Sequence, residues 1–222
     1  MKLPISKRLL CCASLLPPNA RLADVGCDHG YLGIYALQNQ LANYVAACDL
    51  RPGPLEAAKR NAALYGTKEQ MAFYLSDGLA NVPPDCFDTV VCAGMGGELM
   101  GRIVAQAPYL RSPDYALILQ PQVDADLLRQ VLAKYGFREE AARLVEDGGF
   151  LYCVLRVRYE APYILSPGQC FVSPHLQDSP YFEEYVRRIK ITLEKRIHGI
   201  LQGKKSDDLR LSYYQKALEE LS

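Results

Sequence analysis

The sequence lacks an excess of either charge, a long apolar run and clustered metal ligands. Lys and Arg together number 25, and so do Asp and Glu, so no net charge draws the whole chain to nucleic acid or to a membrane. No run of about 18 apolar residues is present, which excludes a membrane-spanning helix. None of the eight cysteines forms a C-x-x-C pair, and the three histidines lie far apart. We therefore expect no membrane and no metal among the partners.

The cysteines and the N-terminus both favour a cytoplasmic protein. Most cysteines lie inside apolar runs such as VVCAG and YVAACDL, as reduced cysteines do when they pack as small core residues. The basic segment 1–18 weakly resembles a signal peptide. However, Ser6, Lys7 and Arg8 interrupt its apolar part, and two prolines end it without a clean cleavage site. We expect an amphipathic helix there.

Short apolar runs alternate with amphipathic stretches from Arg21 to about Arg158. This alternation of apolar strands and helices predicts an α/β fold with a parallel sheet covered on both faces. The predicted strands are Arg21–Val25, Tyr44–Asp49, Met71–Ser76, Thr89–Ala93 and Tyr115–Gln120. The predicted helices are Gly30–Asn39, Pro54–Tyr65, Glu98–Gln106 and Val123–Tyr135.

The end of this region departs from the alternation. Arg138–Glu146 and Phe150–Arg158 are two strand-like runs joined by Asp147-Gly148-Gly149, a hairpin turn signal. A parallel sheet would thus close with an antiparallel pair at one edge. Dehydrogenase-type Rossmann sheets normally lack this ending, whereas class I methyltransferases have it. We expect a Rossmann-like, seven-stranded sheet with an antiparallel edge hairpin.

The remaining chain predicts a helical appendage. A linker rich in Pro and Gly, at 161–180, precedes a long helix at 181–203 and a second helix at 207–221, each with apolar residues at helical spacing. Two helices in tandem suggest a helical hairpin. With 222 residues in all, we expect a first domain at 1–158 and a helical module at 159–222.

The first strand leads into a glycine loop, Asp24-Val25-Gly26-Cys27-Asp28-His29-Gly30. Gly26 and Gly30 allow backbone to come close to a ligand, and Gly30 opens a helix whose free N–H groups favour an anion. The dinucleotide pattern GxGxxG is not met, because Asp28 replaces its second glycine. That acid would repel a pyrophosphate but tolerates the sulfonium of S-adenosylmethionine. Asp24 is in a position to bind the ammonium group of the methionine moiety. The alternative for this segment is a tight turn between strand and helix with polar side chains and no ligand.

Acidic residues also follow the next two strands. Asp49 ends strand two, about 20 residues after the glycine loop, where a carboxylate can accept hydrogen bonds from both ribose hydroxyls of a nucleoside. Asp77-Gly78 follows strand three, where an Asp can bind an adenine amino group. Either acid alone is equally consistent with a solvated strand end or a turn. Together with Asp24 they line one predicted crevice, because the carboxyl ends of parallel strands share one edge of the sheet.

Two further strand ends carry glycines and amides. Strand four runs into Ala93-Gly94-Met95-Gly96-Gly97, which suggests close backbone approach by a ligand, although a structural loop is also possible. Strand five ends in Gln120-Pro121-Gln122, whose amides suit a base edge or a simple turn.

These motifs together resemble the bacterial tRNA (adenine-22)-N1 methyltransferase family, TrmK. The resemblance rests on SKRL at 6–9, ADVGCDHGYL at 23–32, AGMGG at 93–97, LILQP at 117–121 and EDG at 146–148. It covers 1–158 well and the C-terminal helices only in general character. It implies a class I, S-adenosylmethionine-dependent fold and a helical, coiled-coil-like module that helps to grip tRNA.

The resemblance also implies roles for individual residues. Asp24, Gly26, Asp28 and Gly30 would hold the methionine end of the cofactor and Asp49 its ribose. Asp77 and Gly78 would hold the adenine, and Ala93, Gly94 and Met95 would border the sulfonium. No general base is required at the outset, because adenine N1 carries a lone pair, so alignment and desolvation would supply most of the acceleration. We expect Asp28 to stabilise the cationic product, with His29, Tyr31 and Gln120 as positioning residues. A His29 that only packs at the helix start is equally consistent.

The long C-terminal helix supplies a local positive charge. Between Val186 and Lys205 the sequence has seven basic residues and one acid, a net charge of +6, which could follow RNA phosphates. A solvated helix face is the alternative. The expected RNA contacts are Arg8, Arg187, Arg188, Lys190, Lys195 and Arg196, and Lys204 and Lys205 belong to the same run.

Three other functions stay open on the sequence alone. An NAD-dependent dehydrogenase would share Asp49, but the missing GxGxxG and the antiparallel ending count against it. A methyltransferase for a small molecule or a protein would not need the basic helix. An RNA-binding module without catalysis would not need the strand-end acids. The oligomeric state is also open, with a monomer favoured.

Overall fold

A computed structural model of the chain describes residues 3–203 and 207–222. These residues form one seven-stranded sheet and eight α-helices. Within this part of the chain, none of the helices combines the length and hydropathy that a membrane span needs.

The strands are β1 to β7 in chain order, and they lie in the sheet order β3-β2-β1-β4-β5-β7-β6. Their bounds are Ala20–Val25, Ala42–Asp49, Met71–Leu75, Thr89–Met95, Ala116–Pro121, Phe137–Asp147 and Phe150–Tyr159. The helices α1 to α8 are Lys7–Ala13, Tyr31–Gln38, Pro52–Leu64, Gly97–Gln106, Ala125–Tyr135, Pro167–Phe171, Phe182–Gln202 and Asp208–Glu220. The predicted strands and helices are therefore confirmed to within a few residues.

The antiparallel edge hairpin is also confirmed. β5 pairs in parallel with β4, whereas β7 pairs antiparallel with both β5 and β6. The hairpin tip, Asp147–Phe150, therefore lies at the same edge of the sheet as the carboxyl ends of the parallel strands. This edge is where ligands bind in open α/β sheets.

The two faces of the sheet bury separate apolar clusters, because successive side chains of a strand point to opposite faces. On β5, Ile118 packs with α1, α2 and α3. Leu117 and Leu119 pack with α4, α5 and the C-terminal helices. Both faces are covered, as the apolar strands predicted.

Helix α1 lies against the β6–β7 hairpin. Ser6 caps its N-terminus by accepting from the backbone N–H of Leu9. The Lys7 ammonium lies 3.4 Å from Glu146, and the backbone N–H of Arg8 donates to Asp147. The predicted N-terminal helix is thus confirmed, and its first turn is fixed at the ligand-binding edge.

The segment 161–180 differs from the predicted linker. It contains α6, which begins with a capping box between Ser166 and Gln169, and a 3-10 turn, Pro174–Leu176. The capping pattern [ST]-x-x-[EQ] predicts such a helix start, but the Pro and Gly content of the segment favoured a linker. Phe171 and Leu176 are buried in the same cluster as the sheet face, so this segment joins the helical module to the sheet.

A buried arginine on α5 makes this junction. Arg129 is 1% exposed; its Nε donates to Glu139 on β6 at 2.7 Å, and its Nη1 donates to the carbonyl of Phe171 at 3.1 Å. The Cys170 carbonyl and the Cys153 thiol accept further bonds. One guanidinium therefore connects α5, β6, β7 and α6.

We expect Arg129→Met to lower the free energy of unfolding by about 3–5 kcal/mol, because it leaves Glu139 buried without its counter-charge. Urea titration of the variant measures this. The double variant Arg129→Met/Glu139→Leu should regain part of the loss, since it removes both charges. The control Lys59→Met breaks only an exposed pair with Glu56 and should change stability by less than about 0.5 kcal/mol. An equal loss in both single variants would contradict this role for Arg129.

Candidate active site

A cavity of about 450 Å³ opens at the carboxyl ends of β1, β2, β3 and β4. Its volume is in the range of small-ligand sites. Nine of the ten predicted cofactor residues line it: Asp24, Gly26, Asp28, Asp49, Asp77, Gly78, Ala93, Gly94 and Met95. The three strand-end acids therefore share one crevice, as the parallel sheet predicted.

The tenth residue, Gly30, has a different role. It does not line the cavity, and a Cβ there would lie 3.1 Å from the Cβ of Ala58 on α3. Its φ of +72° is also a left-handed conformation that favours glycine. Gly30 thus allows α2 and α3 to pack closely, and its expected role toward the cofactor stays a prediction.

Asp24 is a buried carboxylate with unused hydrogen-bonding capacity. It is 5% exposed, and within the described residues its Oδ2 has no hydrogen-bond partner. Burial raises the pKa of Asp24 to about 7; a hydrogen bond from the Gly33 backbone opposes this, and nearby Asp49 adds to it. A buried carboxylate oxygen facing a cavity fits a cationic ligand group.

Asp49 fixes the glycine loop as well as lining the cavity. It is 7% exposed, its Oδ2 accepts from the backbone N–H of Asp28, and its Oδ1 accepts from that of Arg51. Asp28 has a φ of +48°, which Asp adopts more readily than most residues. Its side chain is 63% exposed, so this carboxylate lies at the mouth of the cavity.

The AGMGG segment leaves the sheet through a bulge at Gly94. The register between β4 and β5 shifts between Ala93 and Met95, and Gly94 has a φ of +82°. Its backbone N–H, released from the ladder, donates to Oε1 of Gln120 at 3.0 Å. A Cβ on Gly94 would lie 2.8 Å from Nη1 of Arg8, so glycine is needed here for both backbone and space.

Gln120 is fully buried, and its side-chain amide contacts other parts of the protein. Its Oε1 accepts from Gly94 and also from Nη1 of Arg8 at 2.7 Å, and its Nε2 donates to the carbonyl of Pro121. The amide is therefore occupied by the protein itself. These contacts position Gly94 and Arg8, and the expected role of Gln120 toward the target base stays a prediction.

The predicted positioning residues His29 and Tyr31 lie beside the cavity and do not line it. Their rings stack on each other, with centroids 5.5 Å apart. The His29 Nε2 is 3.8 Å from Oδ2 of Asp28, and the imidazole is 52% exposed. A role for either residue would therefore concern a partner outside the cavity.

Sequence reasoning missed several lining residues on α4 and after β2. Leu99, Arg102 and Ile103 lie on one face of α4 and close the cavity, and Leu50 and Arg51 follow Asp49. Their i, i+3, i+4 spacing predicts that they share one face of α4. Only the sheet order shows that this face of α4 borders the cavity.

The basic helix carries less free charge than its composition indicates. Glu184 accepts from both Arg187 and Arg188, which lowers the pKa of its carboxyl to about 2. Lys190 and Lys195 have no carboxylate within 4 Å in the part of the chain that the structure describes. Lys204 and Lys205 lie outside the described residues.

Arg196 differs most from its expected role. Its guanidinium is 3.3 Å from Asp126 and 3.7 Å from Asp124, and it lies beside the rings of Phe171 and Tyr214. These contacts hold the Arg196 guanidinium between α7 and α5. Arg196 is therefore paired within the protein, and its expected contact with RNA stays a prediction.

The comparisons with known proteins identify the family of the chain. Residues 5–155 match a family model described as a methyltransferase domain. The tRNA (adenine(22)-N(1))-methyltransferase of Bacillus subtilis is 33% identical over 154 residues, which is 69% of this chain and 65% of that protein.

Solved structures match over almost the whole chain. A putative tRNA (m1A22) methyltransferase of Streptococcus pneumoniae has a TM-score of 0.83 and 31% identity, covering 98% of this chain and 99% of that one. A structure of the Streptococcus pneumoniae protein with S-adenosyl-L-methionine has a TM-score of 0.82 and 29% identity, with the same coverage. The fold, the strand-end site and these similarities together show that the chain belongs to the bacterial tRNA (adenine-22)-N1 methyltransferase family, TrmK.

Proposed function

We propose that this chain transfers a methyl group from S-adenosylmethionine to N1 of adenosine 22 in tRNA. The observation that carries the proposal is the buried carboxylate oxygen of Asp24, which has no hydrogen-bond partner among the described residues and belongs to a crevice lined by two further strand-end acids. The relatives named as tRNA (adenine-22)-N1 methyltransferases support the choice of substrate.

The residues present fit the cofactor. Asp24 would bind its ammonium group, and Asp49, whose carboxylate faces the cavity, would accept from the ribose hydroxyls. Asp77 and Gly78 would contact the adenine, and Gly94 and Met95 would border the sulfonium. When bound, S-adenosylmethionine supplies an electrophilic methyl group.

The protein's own contribution is alignment and charge stabilisation. Adenine N1 attacks through its lone pair, so no residue has to remove a proton before transfer. The product base is cationic, and Asp28 lies at the mouth of the cavity, where its carboxylate can stabilise that charge. An adenine stacked in folded tRNA must leave its stack to reach this position.

The RNA would follow the surface between the cavity and α7. Arg8 lies at the cavity, and Lys190 and Lys195 lie on α7 with their ammonium groups unpaired in the described structure. Arg187 and Arg188 would contribute less, because Glu184 neutralises part of their charge.

We assign the methyl transfer to 1–158 and RNA binding to 159–222. The reaction would take place in the cytoplasm, and the preference for a monomer stays a prediction.

Labelled S-adenosylmethionine incubated with unmodified tRNA should place its label in 1-methyladenosine, detected by nucleoside analysis. A tRNA transcript with guanosine in place of adenosine 22 should take up no label. Label in the control transcript would contradict the target position. Cofactor binding without label in any RNA would favour a small-molecule or protein acceptor.

The same assay separates the two roles open to Asp28. Asp28→Asn keeps the size and tolerates the positive φ, so it tests charge alone. If the Asp28 carboxylate stabilises the cationic product, the kcat of Asp28→Asn should be about tenfold lower than that of the wild type, with cofactor affinity unchanged. Weaker cofactor binding with an unchanged kcat would identify Asp28 as a cofactor ligand.

The raised pKa of Asp24 predicts a pH-dependent cofactor affinity. An ammonium group binds the ionised carboxylate, so the affinity should fall as pH decreases below about 7, by up to about tenfold per pH unit. Calorimetric titration across this range measures the effect. Asp24→Asn should bind more weakly and lose this dependence, whereas the exposed Asp85→Asn should keep it. A wild-type affinity that does not change with pH would contradict the role of Asp24.

We expect Lys190→Gln/Lys195→Gln to weaken tRNA binding and to reduce the slope of log K against log salt by about 1 for each lost phosphate contact. Cofactor affinity should not change. Arg187→Gln/Arg188→Gln should have a smaller effect, because Glu184 already pairs with both arginines. The control Lys59→Gln/Lys68→Gln lies on α3 and the turn after it. Equal slopes in all three variants would contradict an RNA contact on α7.

A further inference from the structure

Two aromatic residues, Phe150 and Tyr152, lie at the start of β7, and Tyr152 contacts Arg8, which lines the cavity. β7 runs antiparallel to β5, with Leu119 opposite Leu155, so Phe150 and Tyr152 extend beyond the carboxyl end of β5. They are two residues apart on one strand and therefore share a face. Their ring centroids are 6.3 Å apart.

The exposure of Phe150 has no explanation in the fold. Its side chain is 65% exposed and belongs to neither apolar cluster. The turn before it, with Asp147, Gly148 and Gly149, would form equally well with a polar residue at this position. An exposed aromatic ring at the ligand-binding edge of the sheet points to a partner with a flat apolar surface.

Arg8 completes the same surface. Its guanidinium carbon lies 5.7 Å from the centre of the Tyr152 ring, and the residue also lines the cavity. The bond from Nη1 to Gln120 and the bond from its backbone N–H to Asp147 hold it there. Within the described part of the chain, its Nε and Nη2 make no hydrogen bond, so they are available to an anion.

Within the described residues, the acids of the hairpin form no ion pair with the Arg8 guanidinium. Glu146 is paired with Lys7 and accepts from the backbone N–H of Gly149. The Asp147 carboxylate accepts from the backbone N–H of Arg8. The Arg8 guanidinium thus lies between a ring surface and the cavity without a carboxylate partner among these residues.

We propose that Phe150 and Tyr152 form a stacking platform for the nucleobase adjoining the target adenosine, and that Arg8 binds the phosphate between the two nucleotides. This rests on the proposed function, because it needs a target base that has left its stack. Extrusion of the target leaves its neighbour with one exposed face, which an aromatic ring can cover. The platform then favours the extruded state without contacting the cofactor.

The test compares steady-state kinetics of the wild type, Phe150→Ala and Phe150→Trp with tRNA. Loss of one base–aromatic stack should raise the KM for tRNA about tenfold in Phe150→Ala, with cofactor affinity unchanged. Phe150→Trp should keep the wild-type KM, because it retains a flat ring. The control Leu64→Ala removes a side chain of similar exposure, 62%, at the end of α3 on the opposite edge of the sheet.

A second measurement reports stacking directly. 2-Aminopurine placed on either side of the target nucleotide should lose fluorescence on binding to the wild type, and Phe150→Ala should abolish that quenching. An unchanged KM and unchanged quenching in an active Phe150→Ala enzyme would overturn the platform alone. Weaker cofactor binding in the same variant would assign Phe150 a structural role. A wild type that methylates no tRNA would instead overturn the proposed function, and the platform with it.

Discussion

One buried amide oxygen, Oε1 of Gln120, holds the working parts of the site in their positions. It accepts the backbone N–H of Gly94, which the bulge in β4 releases from the sheet, and Nη1 of Arg8 from the N-terminal helix. The glycine segment that borders the proposed sulfonium position and the arginine at the rim therefore share one acceptor. Because Gln120 is fully buried, its amide has a fixed position on β5, and both elements are held relative to that strand.

The helical module is connected to the same edge of the sheet through charged contacts. Arg196 on α7 pairs with Asp124 and Asp126 at the start of α5. The carbonyl of Asp124 would lie 2.1 Å from a Cβ on Gly97, so the segment that Arg196 holds also packs directly on the AGMGG motif. Arg129 makes the second connection, from α5 to α6. On α7, Arg196 thus joins the module to the sheet, whereas Lys190 and Lys195, which have no carboxylate within 4 Å among the described residues, are the proposed RNA contacts.

Charge and burial divide the acids of the site by role. Asp24 is buried with an unused oxygen and a raised pKa, which suits a cationic ligand that restores its ionised form. Asp49 uses both oxygens on backbone N–H groups and keeps the glycine loop in place. Asp28 is mostly exposed at the mouth. Three acids that look alike in the sequence therefore have different electrostatic environments, which their position in the fold sets.

The sequence by itself determined the alternation of strands and helices, the antiparallel edge and the strand-end acids, because local periodicity and turn residues encode them. It also predicted that nine of the proposed cofactor residues share one crevice, since the carboxyl ends of parallel strands must meet. Tertiary structure alone decided the contacts that Gln120, Gly30 and Arg196 make within the protein. A glutamine, a glycine or an arginine lies in the same local sequence pattern whether it contacts a ligand or another part of the protein. Only the packing of β5 against Arg8, of α2 against α3 and of α7 against α5 determines which partner each one meets.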